Sequence, residues 1–386
     1  MISAGGFDFN ERPFLVLWET TRACDLACVH CRASANPNPE PGELSRHEGL
    51  ELVRQVHAAG APILVFSGGD PLKRPDLPEL IREAKKFRIR TGAIPAVTPA
   101  LTASRIAGLK EAGLDQSAFS LDAAEPAEHD RFRRTEGVFN RTLEAVRIAQ
   151  RAGLGVQINS LVNVHNEAQL SGLIDLIETL DLVFWEVFFL VPVGRGTELP
   201  MMEAAMFEKA FKKIYELNKR VNFIVKITEA PHYRRYYHER EAGGVRQAAG
   251  MPQLHPGLRR PSGPGRSLGQ APGSVNSGKG FAFVSYQGDV YPSGFLPLRA
   301  GNIRENALRT IYQDSPLFRD LRNASLLKGR CGQCMYREIC GGSRSRAYAM
   351  TGDYLAEDPC CSYVPGAVAP GSEKLSEEKV DFVRSK

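Results

Sequence analysis

The sequence predicts an α/β chain: a partial (β/α)6 barrel with a small cysteine-rich C-terminal domain. Three observations predict it. Strand-like and helix-like stretches alternate from residue 13 to about residue 200, the pattern of a parallel sheet with right-handed crossovers. Residues 240–280 then lose all periodicity and become rich in Gly, Pro, Ser and Arg, as a flexible connection does. The eight cysteines fall into two groups, Cys24, Cys28 and Cys31 near the start, and Cys331, Cys334, Cys340, Cys360 and Cys361 near the end.

Apolar or β-branched runs mark six strands: Phe14–Trp18, Ile63–Phe66, Thr91–Val97, Ser117–Leu121, Val156–Val162 and Trp185–Val191. Helical patterns fall between and after them, over 45–59, 77–87, 103–112, 138–152, 167–180 and 203–221. The first opens on Ser45 and Glu48, a capping-box pair, and carries Leu52, Val53 and Val56 on one face. Six strand–helix units are too few for an eight-fold barrel, hence an open one, with its chemistry at the carboxyl ends of the strands. Phe281–Ser285, a Gln287-Gly288 turn and Val290–Tyr291 make a hairpin that opens the cysteine-rich end. The expected division is 13–222 for the barrel core, 223–280 for a connecting segment with a basic loop, 281–365 for the C-terminal domain and 366–386 for a charged tail.

With 386 residues, 43% of them hydrophobic, and a formal net charge of +5, the chain can bury a core and is not disordered as a whole. No run of about 20 apolar residues exists, which excludes a spanning helix. The first residues carry no basic start with a long apolar stretch behind it, so no secretory signal is read and a cytoplasmic location is expected. The charge lacks the dense basic patch that nucleic-acid binding needs. A cytoplasmic chain does not rely on disulfides, so clustered thiols point to metal.

The first cysteine group spaces its thiols by three residues, then two, in Cys24-Asp25-Leu26-Ala27-Cys28-Val29-His30-Cys31, directly after the first strand. Three thiolates are one short of the four that complete an iron–sulfur cube, which leaves one iron open to a ligand. This segment resembles the signature of the radical S-adenosylmethionine (SAM) superfamily, with His30 in the place of the aromatic before the last cysteine. The resemblance implies a [4Fe–4S] cluster on Cys24, Cys28 and Cys31 and reductive cleavage of SAM to a 5′-deoxyadenosyl radical that abstracts a substrate hydrogen. It also implies an electron donor such as flavodoxin or ferredoxin. Ser67-Gly68-Gly69-Asp70-Pro71 resembles the family's Gly-Gly-Glu-Pro element, with Asp70 for Glu, whose backbone meets the cofactor's amino group. By the same resemblance Ser120 and Arg133 approach the cofactor's carboxylate, Asp122 its ribose, and Asn159 and the stretch Val191-Pro192-Val193-Gly194-Arg195-Gly196 its ribose and adenine.

Cys331-x2-Cys334-x5-Cys340, then Cys361, resembles the auxiliary-cluster extension called SPASM. The full extension holds two further clusters. Here Ser293, Ser343 and Ser274 or Ser277 stand where cysteines of the first would be, and the second keeps a full set of four. Two [4Fe–4S] clusters in total are therefore expected, the second closed by Cys331, Cys334, Cys340 and Cys361, with Cys360 able to exchange roles with Cys361. A four-thiolate zinc is the alternative that spacing also allows.

Residues from Cys340-Gly341-Gly342 to Asp358-Pro359 resemble the heme-biosynthesis branch, which implies a small carboxylate-bearing substrate, a tetrapyrrole among the candidates. Peptide maturation and a non-catalytic zinc protein are the competing readings. His232, Tyr233, Arg234 and Arg235 are the expected substrate contacts, since Arg meets carboxylates in a bidentate fork, with Arg246, Arg259, Arg260 and Arg266 adding positive charge on the loop.

Overall fold

A computed structural model describes residues 7–241, 268, 271 and 273–366. Seven parallel strands follow one another: β1 (Leu15–Glu19), β2 (Ile63–Ser67), β3 (Arg90–Ala93), β4 (Gln116–Ser120), β5 (Gly155–Val162), β6 (Phe184–Phe189) and β7 (Ile224–Thr228). β8 (Phe281–Val284), β9 (Asp289–Tyr291) and β10 (Gly301–Asn302) complete one sheet in the order β10-β9-β8-β1-β2-β3-β4-β5-β6-β7.

Two features differ from the expectation. A seventh barrel strand, β7, occupies part of what was read as the connecting segment; its Ile-Val-Lys-Ile-Thr sequence alternates as a strand does and pairs with β6 from Phe184↔Ile224 to Phe188↔Thr228. The hairpin strand β8 also lies parallel to β1, register Leu15↔Phe281 to Trp18↔Val284, so the C-terminal segment grows from the barrel's own sheet. β8 and β9 pair antiparallel, as the Gln287-Gly288 turn requires. The basic loop arginines Arg246, Arg259, Arg260 and Arg266 lie outside the described residues.

The period of two sorts each strand between two environments. Val16 and Trp18 of β1 and Leu64 and Phe66 of β2 join the main core beneath the helices. Leu15, Leu17, Ile63 and Val65 turn to the opposite face and pack with Phe14, Ile94 and Leu268. Leu268 is tied there through its backbone N–H to Gln116 Oε1 at 2.9 Å, and Gly92 makes the room, since a Cβ on it would stand 2.9 Å from Leu268 Cδ1. The amino ends of β1–β3 are thus sealed by apolar contacts. The outer face is covered by amphipathic helices: Arg46–Ala58 buries Leu52, Val53 and Val56 and starts with the expected capping box, Ser45 and Glu48 each accepting from the other's backbone N–H.

Candidate active site: two thiol clusters

β1 delivers the chain to the first cysteine loop, and backbone hydrogen bonds fix that loop on β2. Thr20 N donates to Ser67 O at 2.8 Å, Gly69 N to Thr21 O at 2.7 Å and Asp70 N to Ala23 O at 2.7 Å. The two glycines are needed for that approach: a Cβ on Gly68, whose φ is +142°, would lie 2.5 Å from Thr21 O, and one on Gly69 would lie 2.3 Å from Ala23 O. Asp70 is fully buried and accepts from Leu72 N, Ala96 N and Thr98 Oγ1, so it joins the end of β2 to the loop after β3. Burial raises its pKa, and those three donors oppose the rise.

The three sulfurs are free thiols, two of them buried. Each receives a donor: Leu26 N on Cys24 at 3.4 Å, Ala35 N on Cys31 at 3.5 Å and Arg133 Nη1 on Cys28 at 3.6 Å. Burial pushes the Cys24 thiol up to about 12. Buried thiols supplied with N–H donors suit an iron centre that offsets their negative charge.

Around this loop the barrel places the other expected residues. His30 stacks on Phe132 with ring centroids 4.4 Å apart, and burial, then the Arg133 charge, presses its pKa down to about 3. Asp122 and Arg133 form a buried ion pair, with Arg133 Nε 2.8 Å from Asp122 Oδ2. Burial alone would raise the Asp122 carboxyl, but Arg133 outweighs it and holds the group below the usual range. Asp122 also accepts from Leu161 N, so the carboxylate read as a ribose contact is already engaged inside the wall. His129 completes that group: its Nδ1 accepts from Asp122 N at 3.1 Å, and burial lowers its pKa to about 4. Ser120 is half-buried at the end of β4, and Val191 is buried just beyond β6.

Asn159 belongs to a polar wall that sequence reasoning missed apart from this one residue. Gln157 Nε2 donates to Asn159 Oδ1 at 2.6 Å and to Glu186 Oε2 at 3.0 Å, and Glu186 Oε1 accepts from Lys226 Nζ at 2.7 Å and Thr228 Oγ1 at 2.6 Å. Period-two polar residues on β5 and β7, with the lone Glu186 of β6 between them, were the available signal. Arg195 was also missed as a positioning residue. It holds the cysteine loop by three bonds: its backbone N to Cys31 O at 3.1 Å, Nε to Cys28 O at 2.8 Å and Nη1 to Ala35 O at 3.0 Å. Gly194 allows the contact, for a Cβ there would lie 2.3 Å from Arg32 O.

In the second group, Cys331, Cys334, Cys340 and Cys361 line one cavity together with His232 and Arg235. Cys360 is absent from that lining; it is buried and points at Met202 O, 3.7 Å from its sulfur. Backbone N–H groups reach the sulfurs here too: Asp358 N to Cys331, Tyr336 N to Cys334 and Gly342 N to Cys340, all at 3.4 Å. Among the described residues no three His, Cys, Asp or Glu side chains stand in an arrangement that would hold a single metal ion.

The residues read as substrate contacts are engaged elsewhere. His232 and Tyr233 are buried, with Tyr233 packed on Phe211 at 5.4 Å. Arg234 donates to Ile339 O at 2.9 Å and Val275 O at 2.6 Å, and Arg235 pairs with Glu208 and Glu239. They lie on or beside the helix Tyr233–Glu241; Arg234 ties it to backbone carbonyls and Arg235 is held by two carboxylates, while the His232 ring nitrogens and the Tyr233 hydroxyl are buried without a hydrogen-bond partner.

Serines of the C-terminal segment gather on Glu229. Ser343 Oγ donates to Glu229 Oε2 at 2.5 Å, and Ser345 and Ser293 donate to Oε1 at 3.0 and 3.2 Å. Ser277 lies 3.2 Å from Ser345, oxygen to oxygen.

Residues 18–177 match the model of the radical SAM superfamily, and residues 276–335 that of an iron–sulfur cluster-binding domain, SPASM. The chain is 38% identical over 357 residues to a protein of Methanosarcina barkeri named AdoMet-dependent heme synthase, covering 92% of this chain and 98% of that one. A protein of the same name from Oleidesulfovibrio alaskensis is 35% identical, covering 91% and 87%. In fold it is similar to Streptococcus suis SuiB bound to S-adenosylmethionine, with TM-score 0.69, 16% identity, and 92% and 78% of the two chains covered. The resemblance read from the cysteine spacing is borne out.

Proposed function

The chain belongs to the radical SAM superfamily, and from that premise we propose that its substrate is a carboxylate-bearing tetrapyrrole from which it abstracts a side-chain hydrogen in the making of a heme-type product. The single observation that carries this reading is the 38% identity to an AdoMet-dependent heme synthase along nearly its whole length. The enzyme is a radical SAM enzyme with a SPASM domain, and its cofactors are SAM and [4Fe–4S] clusters. Bound at the open iron, SAM supplies a 5′-deoxyadenosyl radical on one-electron reduction.

The chain's own residues hold, orient and shield. Cys24, Cys28 and Cys31 hold the first cluster, and Arg195 keeps their loop in place. The backbone of Gly68 and Gly69 would receive the methionyl ammonium, and Asp70 fixes the chain just after them through Leu72 N and Ala96 N. Ser120 would approach the cofactor's carboxylate and Asn159 and Val191 its ribose and adenine, while His30 stacks on Phe132 beside the cysteine loop. Arg133 lends positive charge beside Cys28 while Asp122 orients it. Cys331, Cys334, Cys340 and Cys361 hold the second cluster.

Among the described residues no helix is long and apolar enough to cross a membrane, and we place the enzyme in the cytoplasm with a flavodoxin or ferredoxin as electron donor. The test is anaerobic incubation of the reduced enzyme and SAM with a panel of carboxylate-bearing porphyrins and, separately, with peptides encoded by neighbouring genes. A change in porphyrin mass with 5′-deoxyadenosine release is the expected result; a mass change in a peptide alone would sink the proposal.

A further inference from the structure

His232 is 1% exposed, and neither of its ring nitrogens has a hydrogen-bond partner. The ring cannot turn away to find one, because Phe207 and Phe211 hold it at 5.2 and 4.9 Å. The nearest carboxylate, Asp358, stands 3.7 Å from Nδ1 and is already taken by Arg346 Nη1 and by the N–H groups of Ser343 and Cys360. A buried polar atom without a partner is costly, and native structures seldom leave one. The space that His232 does face is the cavity of the four cysteines.

Two arginines near the cysteines, Arg344 and Arg234, have no carboxylate partner among the described residues, whereas Arg235 and Arg330 of the cavity lining are paired with Glu208, Glu239 and Glu357. Arg344 donates to Cys331 Sγ at 3.7 Å and otherwise to the carbonyls of Gly342, Tyr354 and Ala356. Arg234 bonds only carbonyls. Neither forms an ion pair among the described residues. Cations and N–H donors around thiolate sulfur favour the form of an iron–sulfur centre that holds one more electron.

We infer that His232 donates an N–H to sulfur at the four-cysteine centre and, with Arg234 and Arg344, makes that centre accept an electron more readily than the three-cysteine centre. The inference rests on the second cluster being present. His232 acts on the centre from outside its ligand set and is a positioning residue.

The test is an anaerobic redox titration of the full chain with dithionite, followed by electron paramagnetic resonance. Dithionite is oxidised to sulfite as each cluster passes from its 2+ to its 1+ state by gaining one electron. His232→Phe keeps an aromatic ring and removes the donor; His232→Gln returns an N–H. The unmodified enzyme should show two midpoints, the higher one lost on Cys334→Ala. In His232→Phe that midpoint should shift to more negative potential with the lower one unmoved, and His232→Gln should return most of the shift. If His232→Phe loses the second cluster's iron while His232→Gln keeps it, the donor is likewise supported. An unmoved midpoint in His232→Phe with full iron overturns the role, as do equal shifts or equal iron loss in both variants. Absence of the second cluster from the unmodified enzyme would instead overturn the cluster reading on which the inference rests.

Discussion

The two thiol sites share one chemistry and differ in what surrounds them. The first sits on a loop that other elements reach over to hold: Arg195 from beyond β6, Arg133 from the helix Pro126–Arg133, and the end of β2. It has three thiols, and a polar wall stands on the strands beyond it. The second has four thiols drawn from one C-terminal segment, with aromatic and arginine side chains packed against the cavity. The first takes its thiols from one short loop and relies on distant elements to hold it; the second spreads its thiols from Cys331 to Cys361 and shares its cavity with His232 and Arg235 from beside the seventh strand.

The sharpest way to break this comparison is to remove the first thiols. The triple change Cys24→Ala, Cys28→Ala, Cys31→Ala should abolish 5′-deoxyadenosine release, measured chromatographically, and leave the second cluster in place. Iron should fall from about eight per chain to about four, as two cubes become one. Next in size is Cys334→Ala. It should lower iron by the same half but keep SAM cleavage, so that 5′-deoxyadenosine forms while conversion of substrate fails. Loss of SAM cleavage in this variant would mean that the sites are not separable.

A smaller effect sharpens the difference in anchoring. Arg133→Met leaves Asp122, 2% exposed, as an uncompensated buried charge and should lower stability by about 3–5 kcal/mol in anaerobic chemical denaturation. Adding Asp122→Asn to that variant should recover part of the loss.

The smallest expected effect is a pH slope. His129 is buried beside the first site and its pKa falls to about 4, against 6.5 for the free side chain. The unfolded chain takes up a proton below 6.5 that the folded chain refuses until about 4, so His129's contribution is whole above 6.5 and is lost as pH falls toward 4. His129→Gln should flatten the fall of the unfolding midpoint over that window, by up to about 1.4 kcal/mol per pH unit. An unchanged slope would place the proton uptake elsewhere.

Much of this was legible in the sequence, for physical reasons that can be named. Cysteine spacing shows directly because ligand geometry fixes it, and the helices Arg46–Ala58 and Val138–Arg151 show because each buries one stripe of apolar residues. β7 was passed over although its alternation is regular, since it is short and followed by polar sequence. The helix Tyr233–Glu241 has almost no apolar periodicity, and its arginines read as ligand contacts until the structure supplied their carbonyl and carboxylate partners. Arg195 stood in a stretch expected near the ribose and adenine, but its hold on the cysteine loop went unread, because a side chain that bonds backbone carbonyls of a distant loop follows no local pattern.

The gathering of Ser277, Ser293, Ser343 and Ser345 on Glu229 has one more consequence. It ties the exit of the seventh strand to the turn after the hairpin and to the start of the helix Arg344–Thr351, a seam that needs neither iron nor inorganic sulfide to form. Air that destroys the cofactors should therefore leave this joint standing.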